Sequence, residues 1–579
     1  PPKAGVREFR NRALHTRLWC LGPSGFAVLP AAQTLVSAPT RQAAEPSPGW
    51  PNDRPIRGAI TLRSQTSRVA RNTLRRRARR RCTLSGDVGV LFPQDESGKR
   101  GSLETNRAIW ADSVRGVDPD LAARIDASPA WRKDYAQFVH EITTLCSTSR
   151  ENAIAIAEAG LASARSRIGF ERDGEVTDLD SLSTVQPAFE FTTETIVGAG
   201  EAATELEITH DGKTLSGDAL RRKLGDWVHR GIIEPSAASA LNTVIDNPDW
   251  LRLEGRRVVV LGAGAQTSPL PTLCSWGAEV VAVDLPRKEL WERVITTAND
   301  GASKVHIPLQ PGAKGSVAAR AGANVIQDVP ELLRWLDGFA DTPLILGVYI
   351  YADGALHVQA TLAADALGTS LTAGGADVTM AYAGTPSDCF LVAPDVVNDS
   401  NARRRSRSWR SIELPLRTLS FGKLYAPAYR EMLTSSDGEE MGIVDAIVQQ
   451  QGPNYSLAKR LQRWRTEASW SHGQAASFNV APPTWTTSVT KNKVLAAGYY
   501  GARSAGLEVF SPETMSVLMT ALLVHDLNVA APDEHPELGL TRAGIHGGYW
   551  RVPHDIRTTL LYTGIVGIPQ AYAPDIRFR

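Results

Sequence analysis

Tyr455 and Lys459 stand four residues apart in the stretch Gly452-Pro453-Asn454-Tyr455-Ser456-Leu457-Ala458-Lys459. On a helix, that spacing puts both side chains on one face. A phenol beside an ammonium is a proton-transfer pair. The cation lowers the phenol pKa, so the phenol can exchange a proton with a substrate oxygen near neutrality. The same spacing also arises on an ordinary amphipathic helix as a half-buried tyrosine with a solvated lysine. A second candidate lies upstream. Gly262-Ala263-Gly264-Ala265-Gln266-Thr267 follows the run Arg257-Val258-Val259-Val260-Leu261, and Glu279 to Val283 leads to Asp284, 22 residues after Gly262. Small residues at such a turn let the backbone approach a phosphate, and a helix N-terminus stabilises the anion. A carboxylate ending the next strand accepts hydrogen bonds from ribose hydroxyls and repels a 2′-phosphate, which favours NAD over NADP. Gly262, Ala263, Gly264, Gln266 and Asp284 are therefore the expected nucleotide-binding residues.

These groups need a scaffold. From Arg256 onward, short β-branched runs alternate with helical stretches, the pattern of βαβ units and a parallel sheet. Strands are expected at Arg257–Leu261, Glu279–Asp284, Lys304–Leu309, Pro343–Tyr349 and Asp377–Tyr382. Helices are expected up to Trp276, over Pro330–Phe339 and over Leu356–Leu371. Pro269 and Pro271 delay the first of these helices and widen the phosphate loop, because proline is tolerated only near a helix start. Loops at the carboxyl ends of parallel strands line the ligand crevice, which places Tyr349, Tyr351, Ala352, Asp353 and Thr385 there. The expected fold is α/β, a Rossmann-type doubly wound parallel sheet over residues 251–530.

After the Tyr455 helix comes a strand, Ala475 to Val480, running into Ala481-Pro482-Pro483. With the glycine turn and the acid-ended second strand in order before it, the stretch from Arg256 to Thr487 resembles the short-chain dehydrogenase/reductase family. The resemblance implies that Tyr455 is the catalytic acid/base, that Lys459 binds the nicotinamide ribose, and that NAD or NADP is the cofactor. Three departures stand out. The later glycines of the family's turn align near Gln266 and Ser268. Tyr349-Ile350-Tyr351-Ala352-Asp353-Gly354 replaces the family's Asn-Asn-Ala-Gly. No serine stands about a dozen residues before Tyr455, so Ser435 or Ser436 would have to be brought in by a loop. A methyltransferase using S-adenosylmethionine, with a similar turn and acid, remains open. So does a degenerate Rossmann-fold structural or assembly subunit of an organellar complex.

Residues 101–250 show helical periodicity, with Tyr135, Phe138, Val139, Ile142 and Leu145 on one face of Trp131–Cys146. A helical packing, lid or dimerisation domain is expected there. Residues 1–100 lack a sustained apolar period. Residues 1 to 82 hold 17 of the 63 Lys and Arg but 3 of the 62 Asp and Glu. Such a basic, acid-poor leader reads as a mitochondrial or plastid transit peptide; the alternatives are a disordered tail in a cytoplasmic protein or a nucleic-acid arm. The first methionine is Met380, so the chain begins after processing or short of its translated start.

The five cysteines, Cys20, Cys82, Cys146, Cys274 and Cys389, are scattered without a Cys-x-x-Cys, which argues against a disulfide framework or zinc ribbon. No stretch reaches the length of a membrane span, and the folded body shows no basic aromatic stripe for nucleic acid. The C-terminal His525, His535, His546 and His554 lack the tight spacing of a metal motif and read as loop and capping residues, so no metal is expected. The expected partners are a dinucleotide and a small-molecule substrate, with a homo-oligomer or complex subunit as further possibilities. Residues 531–579 form a C-terminal tail that could close over the site.

Overall fold

The computed structural model describes residues 88–572 apart from 407–409 and 422–423. The basic leader, and with it the transit-peptide expectation, lies outside the described residues up to residue 87. The expected boundary at 100 falls late, because Gly89–Leu91 already pairs antiparallel with Gly169–Arg172. Burial of Val90 and Phe92 holds that strand in place.

Helices α1 (Ser102–Arg115), α2 (Trp131–Cys146) and α3 (Arg150–Arg167) follow. The segment expected to be helical also holds strands. One of them, β1 (Thr192–Val197), forms the antiparallel edge of the main sheet. Six parallel strands complete that sheet: β2 (Arg257–Leu261), β3 (Glu279–Val283), β4 (Lys304–Leu309), β5 (Leu344–Val348), β6 (Val378–Gly384) and β7 (Ala476–Val480). Their spatial order is β7-β6-β5-β2-β3-β4-β1. The chain winds outward from β2 to β4, then crosses over and winds outward again from β5 to β7. The order therefore reverses between β2 and β5, the kind of place at which open α/β sheets form a crevice beyond the carboxyl ends of their strands.

Central strands read as continuous apolar runs because both faces are covered. Val259 and Leu261 join one core with α6 (Val329–Asp337), α7 (Ala355–Ala373) and α8 (Pro453–Ser471). Val258 and Val260 join the other, with α4 (Leu270–Trp276), α5 (Lys288–Asp300) and α9 (Pro512–Asp526). The N-terminal helices do not stand apart as a domain. They lie over α8, where Gly160 of α3 receives the Trp464 ring; a methyl at 160 would collide with it.

Between β6 and α8 lies an insertion built on a small antiparallel sheet, Cys389–Val392, Leu433–Thr434 and Glu440–Asp445. It is tied to α8 by buried charge. Arg463 Nη1 donates to Asp388 Oδ2 at 3.1 Å and to the Cys389 carbonyl at 2.7 Å, while Nη2 donates to Glu537. Arg460 donates to Thr143 of α2 at 3.2 Å. Glu537 belongs to α10 (Pro536–Thr541), in the segment expected to be a tail. Burial, followed by repulsion from Glu537, pushes the Glu467 carboxyl well above its ordinary range. Arg460 and Arg463 face the carboxylates of Asp388 and Glu537.

Removing one partner of such a network leaves a buried charge uncompensated. Arg463→Met is expected to lower unfolding free energy by roughly 3–5 kcal/mol, measured by urea denaturation at neutral pH.

Candidate functional site

The turn after β2 is built around a conformation only glycine adopts easily. Gly262 has φ +95°, and a Cβ there would sit 3.0 Å from the Tyr349 backbone. Its N–H donates to the Val283 carbonyl at 2.9 Å, so the turn is pinned to the end of β3. Asp284 pins it further. Its Oδ2 accepts the Gly264 N–H at 2.8 Å and its Oδ1 accepts the Leu285 N–H at 2.7 Å. Burial raises the Asp284 pKa, and the two donors only partly offset it. Instead of projecting freely into the crevice, as expected for a ribose-binding acid, this carboxylate closes the glycine turn. Each oxygen keeps a further lone pair for a ligand.

Ala263 is buried, and the Leu290 side chain lies against Gly264. Gln266 reaches across the crevice, its Oε1 accepting the Thr487 N–H at 2.7 Å. The helix after the turn, α4, starts only at Leu270, as Pro269 and Pro271 led us to expect. Tyr349 contributes backbone and not its phenol. Its N–H donates to Leu261, and its ring folds back over Gly347. The reason is room: glycine at 347 leaves a bare patch of β5 for the ring. Ala352 is partly buried in the irregular segment between β5 and α7.

Tyr455 lies in the first turn of α8, at the same end of the sheet. Its side chain lines the same small cavity as Thr385, which favours the phenolate, and Thr385 immediately follows β6. Its ring centroid is 5.5 Å from that of His357 and 6.4 Å from that of Tyr351. Lys459 Nζ donates to the Ala383 carbonyl at 3.0 Å and to Gln462 Oε1 at 3.1 Å. Burial lowers the Lys459 pKa to about 8, and Asp388 opposes the fall.

The expectation that Lys459 depresses the Tyr455 pKa is overturned. Burial pushes the phenol above its ordinary value, and the ammonium is spent on Ala383 and Gln462. A cavity lined by Tyr135, Thr385, Ser387, Asp388, Tyr455 and Lys459 offers a water centre about 10 Å³, room for roughly one water.

His357 was missed in the sequence. It is 1% exposed, and neither ring nitrogen has a hydrogen-bond partner among the described residues. Burial, aided by the Lys459 charge, lowers its pKa to about 3, so the imidazole is neutral at physiological pH. No local pattern marks it: it is one turn into an apolar helix. Ser435 and Ser436 do not supply the expected serine. Ser435 Oγ accepts the Glu439 N–H at 3.1 Å within its own turn, and the Ser436 N–H donates to Thr148.

Elsewhere, His210, Asp211 and Glu508 could together offer three metal-ligand atoms. Arg230 already pairs with Glu508 at 2.6 Å and Arg503 with Asp211 at 2.9 Å, so the carboxylates are neutralised without an ion. His535 Nδ1 accepts the Glu537 N–H at the start of α10 at 3.3 Å, and His546 bonds Glu234 at 2.8 Å.

Taken together, a hydroxyl, a phenol, an amine and a neutral imidazole converge at the carboxyl end of a parallel sheet, beside a glycine turn closed by a carboxylate. The chain matches no protein-family model, and no curated protein is similar enough in sequence to count as a relative.

The buried lysine leaves a signature on stability. Its ordinary pKa is 10.5 and the folded value is about 8, so between these pH values the unfolded chain binds the extra proton. Folding stability from this group therefore rises with pH across that window. The wild-type stability minus that of Lys459→Met is expected to grow by about 3 kcal/mol from pH 8 to 10.5, read from denaturant melts of the two proteins.

Proposed function

We propose that this sheet is a Rossmann-type nucleotide-binding sheet and that the protein is an NAD(P)-dependent oxidoreductase of the short-chain dehydrogenase kind, acting on a carbonyl or hydroxyl substrate. The observation that carries the proposal is Thr385 beside Tyr455. The resemblance called for a hydroxyl next to the catalytic phenol. The end of β6 supplies one as threonine, despite the insertion of residues 386–452 before α8. The strand order supports it too, with two wound halves meeting at the β2–β5 crevice.

Gly262, Ala263 and Gly264 would approach the pyrophosphate, Asp284 would take the adenosine ribose through its remaining lone pairs, and Gln266 would border the site. Occupation requires Leu290 to leave its place against Gly264. A bound nicotinamide supplies the hydride. The residues of the chain handle the proton. Tyr455, held protonated by burial, donates its phenolic hydrogen to the carbonyl oxygen as the carbon is reduced. Thr385 orients that oxygen, Lys459 would hold the nicotinamide ribose, and solvent returns the proton to the phenolate. Removing a positioned acid of this kind costs typically 10²–10⁴-fold in rate.

A second reading has its own support. Asp284 is engaged by the turn, Leu290 covers Gly264 and the Tyr455 cavity holds little more than one water, as in a dehydrogenase fold kept as a structural subunit.

Titration with NADH, NADPH and S-adenosylmethionine separates these readings. Saturable enhancement of reduced-nicotinamide fluorescence is expected. Binding of the sulfonium alone, or of none by the folded protein, overturns the oxidoreductase. Against carbonyl substrates, Tyr455→Phe and Thr385→Ala are each expected to lower kcat at least tenfold, with Thr385→Ser close to wild type. Undiminished turnover by Tyr455→Phe removes the mechanism.

A further inference from the structure

Among the described residues, most of the exposed large apolar side chains lie on three helical segments: Arg410–Leu419 with Phe421 just beyond it, Lys493–Gly501, and Ile556–Tyr572. The last two pack with their backbones in near contact. Gly501 and Gly567 face the partner helix, and a methyl at either would strike its backbone. Only their inner sides are used up by this packing. The outer sides present Val494, 74% exposed, and Ile565, 61% exposed, together with Leu561, Tyr562 and Tyr500. Beyond the first segment, the Ala426 carbonyl accepts the Asp555 N–H at 2.8 Å, just before the third.

On the two packed helices the charge has one sign. Residues 487–501 and 556–572 contain no Asp or Glu but carry Lys491, Lys493 and Arg557. Arg557 is consumed by Asp445 and Asp555. Lys491 and Lys493 are exposed, and the Lys493 ammonium lies 5.1 Å over the exposed ring of Tyr572. No helix among the described residues is long and apolar enough to cross a membrane.

We propose that this surface docks on an anionic lipid bilayer, lying in its interface without spanning it. An apolar face enters the acyl boundary, tyrosines sit at headgroup depth, and lysines meet anionic headgroups. A second copy is the poorer occupant, since neither packed helix offers an acid to meet Lys491 or Lys493. The proposal is independent of nucleotide binding.

The test is co-sedimentation of the full chain with sonicated vesicles. Binding to mixed phosphatidylglycerol–phosphatidylcholine vesicles is expected, with phosphatidylcholine alone binding at least tenfold more weakly. Val494→Asp/Ile565→Asp is expected to weaken binding to the mixed vesicles at least tenfold, and so is Lys491→Glu/Lys493→Glu. All four side chains are exposed, so the variants should keep the wild-type circular dichroism spectrum. A protein that stays in the supernatant overturns the proposal. Binding that both variants leave intact overturns it too, since the Arg75–Arg81 run would then carry the attachment. So does a dimer in analytical ultracentrifugation that Val494→Asp/Ile565→Asp abolishes, with no vesicle binding.

Discussion

Two buried guanidinium groups on α8 organise the rest of this protein. Arg460 and Arg463 are each no more than 1% exposed, and every element they touch comes from a different part of the chain: Thr143 from α2, Asp388 and Cys389 from the insertion, Glu537 from α10. Arg463 also lies 4.2 Å over the Phe390 ring. Burying these charges is costly, so the network persists only if every partner is present at once. That requirement couples the insertion, the N-terminal helices and the C-terminal segment to one helix, the helix that carries Tyr455 and Lys459.

A second ion cluster does similar work one turn away. Asp365 of α7 accepts Arg165 of α3 at 2.6 Å and Arg465 of α8 at 2.5 Å. With Trp464 seated against Gly160, this fastens the helical layer over the sheet. The consequence for the site is rigidity behind the phenol and enclosure around it. Enclosure accounts for the electrostatics: the same burial raises Tyr455, lowers Lys459 and keeps His357 neutral. In so enclosed a setting each hydrogen bond made by a ligand counts for more than in water. His357, whose ring nitrogens have no hydrogen-bond partner among the described residues, is the clearest such group.

The surface of the two packed C-terminal helices follows a different logic. The helices Lys493–Gly501 and Ile556–Tyr572 gain their contact through small residues and close backbone approach, so their large apolar side chains are left outside. The interior is thus unusually polar at α8 and the exterior unusually apolar at these helices. In both places the ordinary pattern of burial is reversed.

Much of the architecture was legible in local sequence. The alternation of β-branched runs with helical stretches located five of the six parallel strands, because a strand buried on both faces reads as an apolar run; the sixth was read as the strand after the Tyr455 helix. The glycine turn, the late start of α4 at its prolines and the shared helix of Tyr455 and Lys459 are also short-range features, settled within a few residues by backbone geometry. What tertiary structure alone decided are contacts across long stretches of chain. Thr385 reaches Tyr455 because an insertion folds away between them and leaves β6 and α8 adjacent, so counting back from Tyr455 pointed to the wrong residues. His357 joins the site only through the packing of α7 on α8. Asp284 spends its hydrogen bonds on Gly264 because the wide turn brings that N–H to the end of β3. The helices before residue 250, amphipathic by pattern, gave no hint that they would cover α8. Their partners are arginines, and an arginine in a helix reads as solvent-facing until the acids that bury it are brought in from elsewhere.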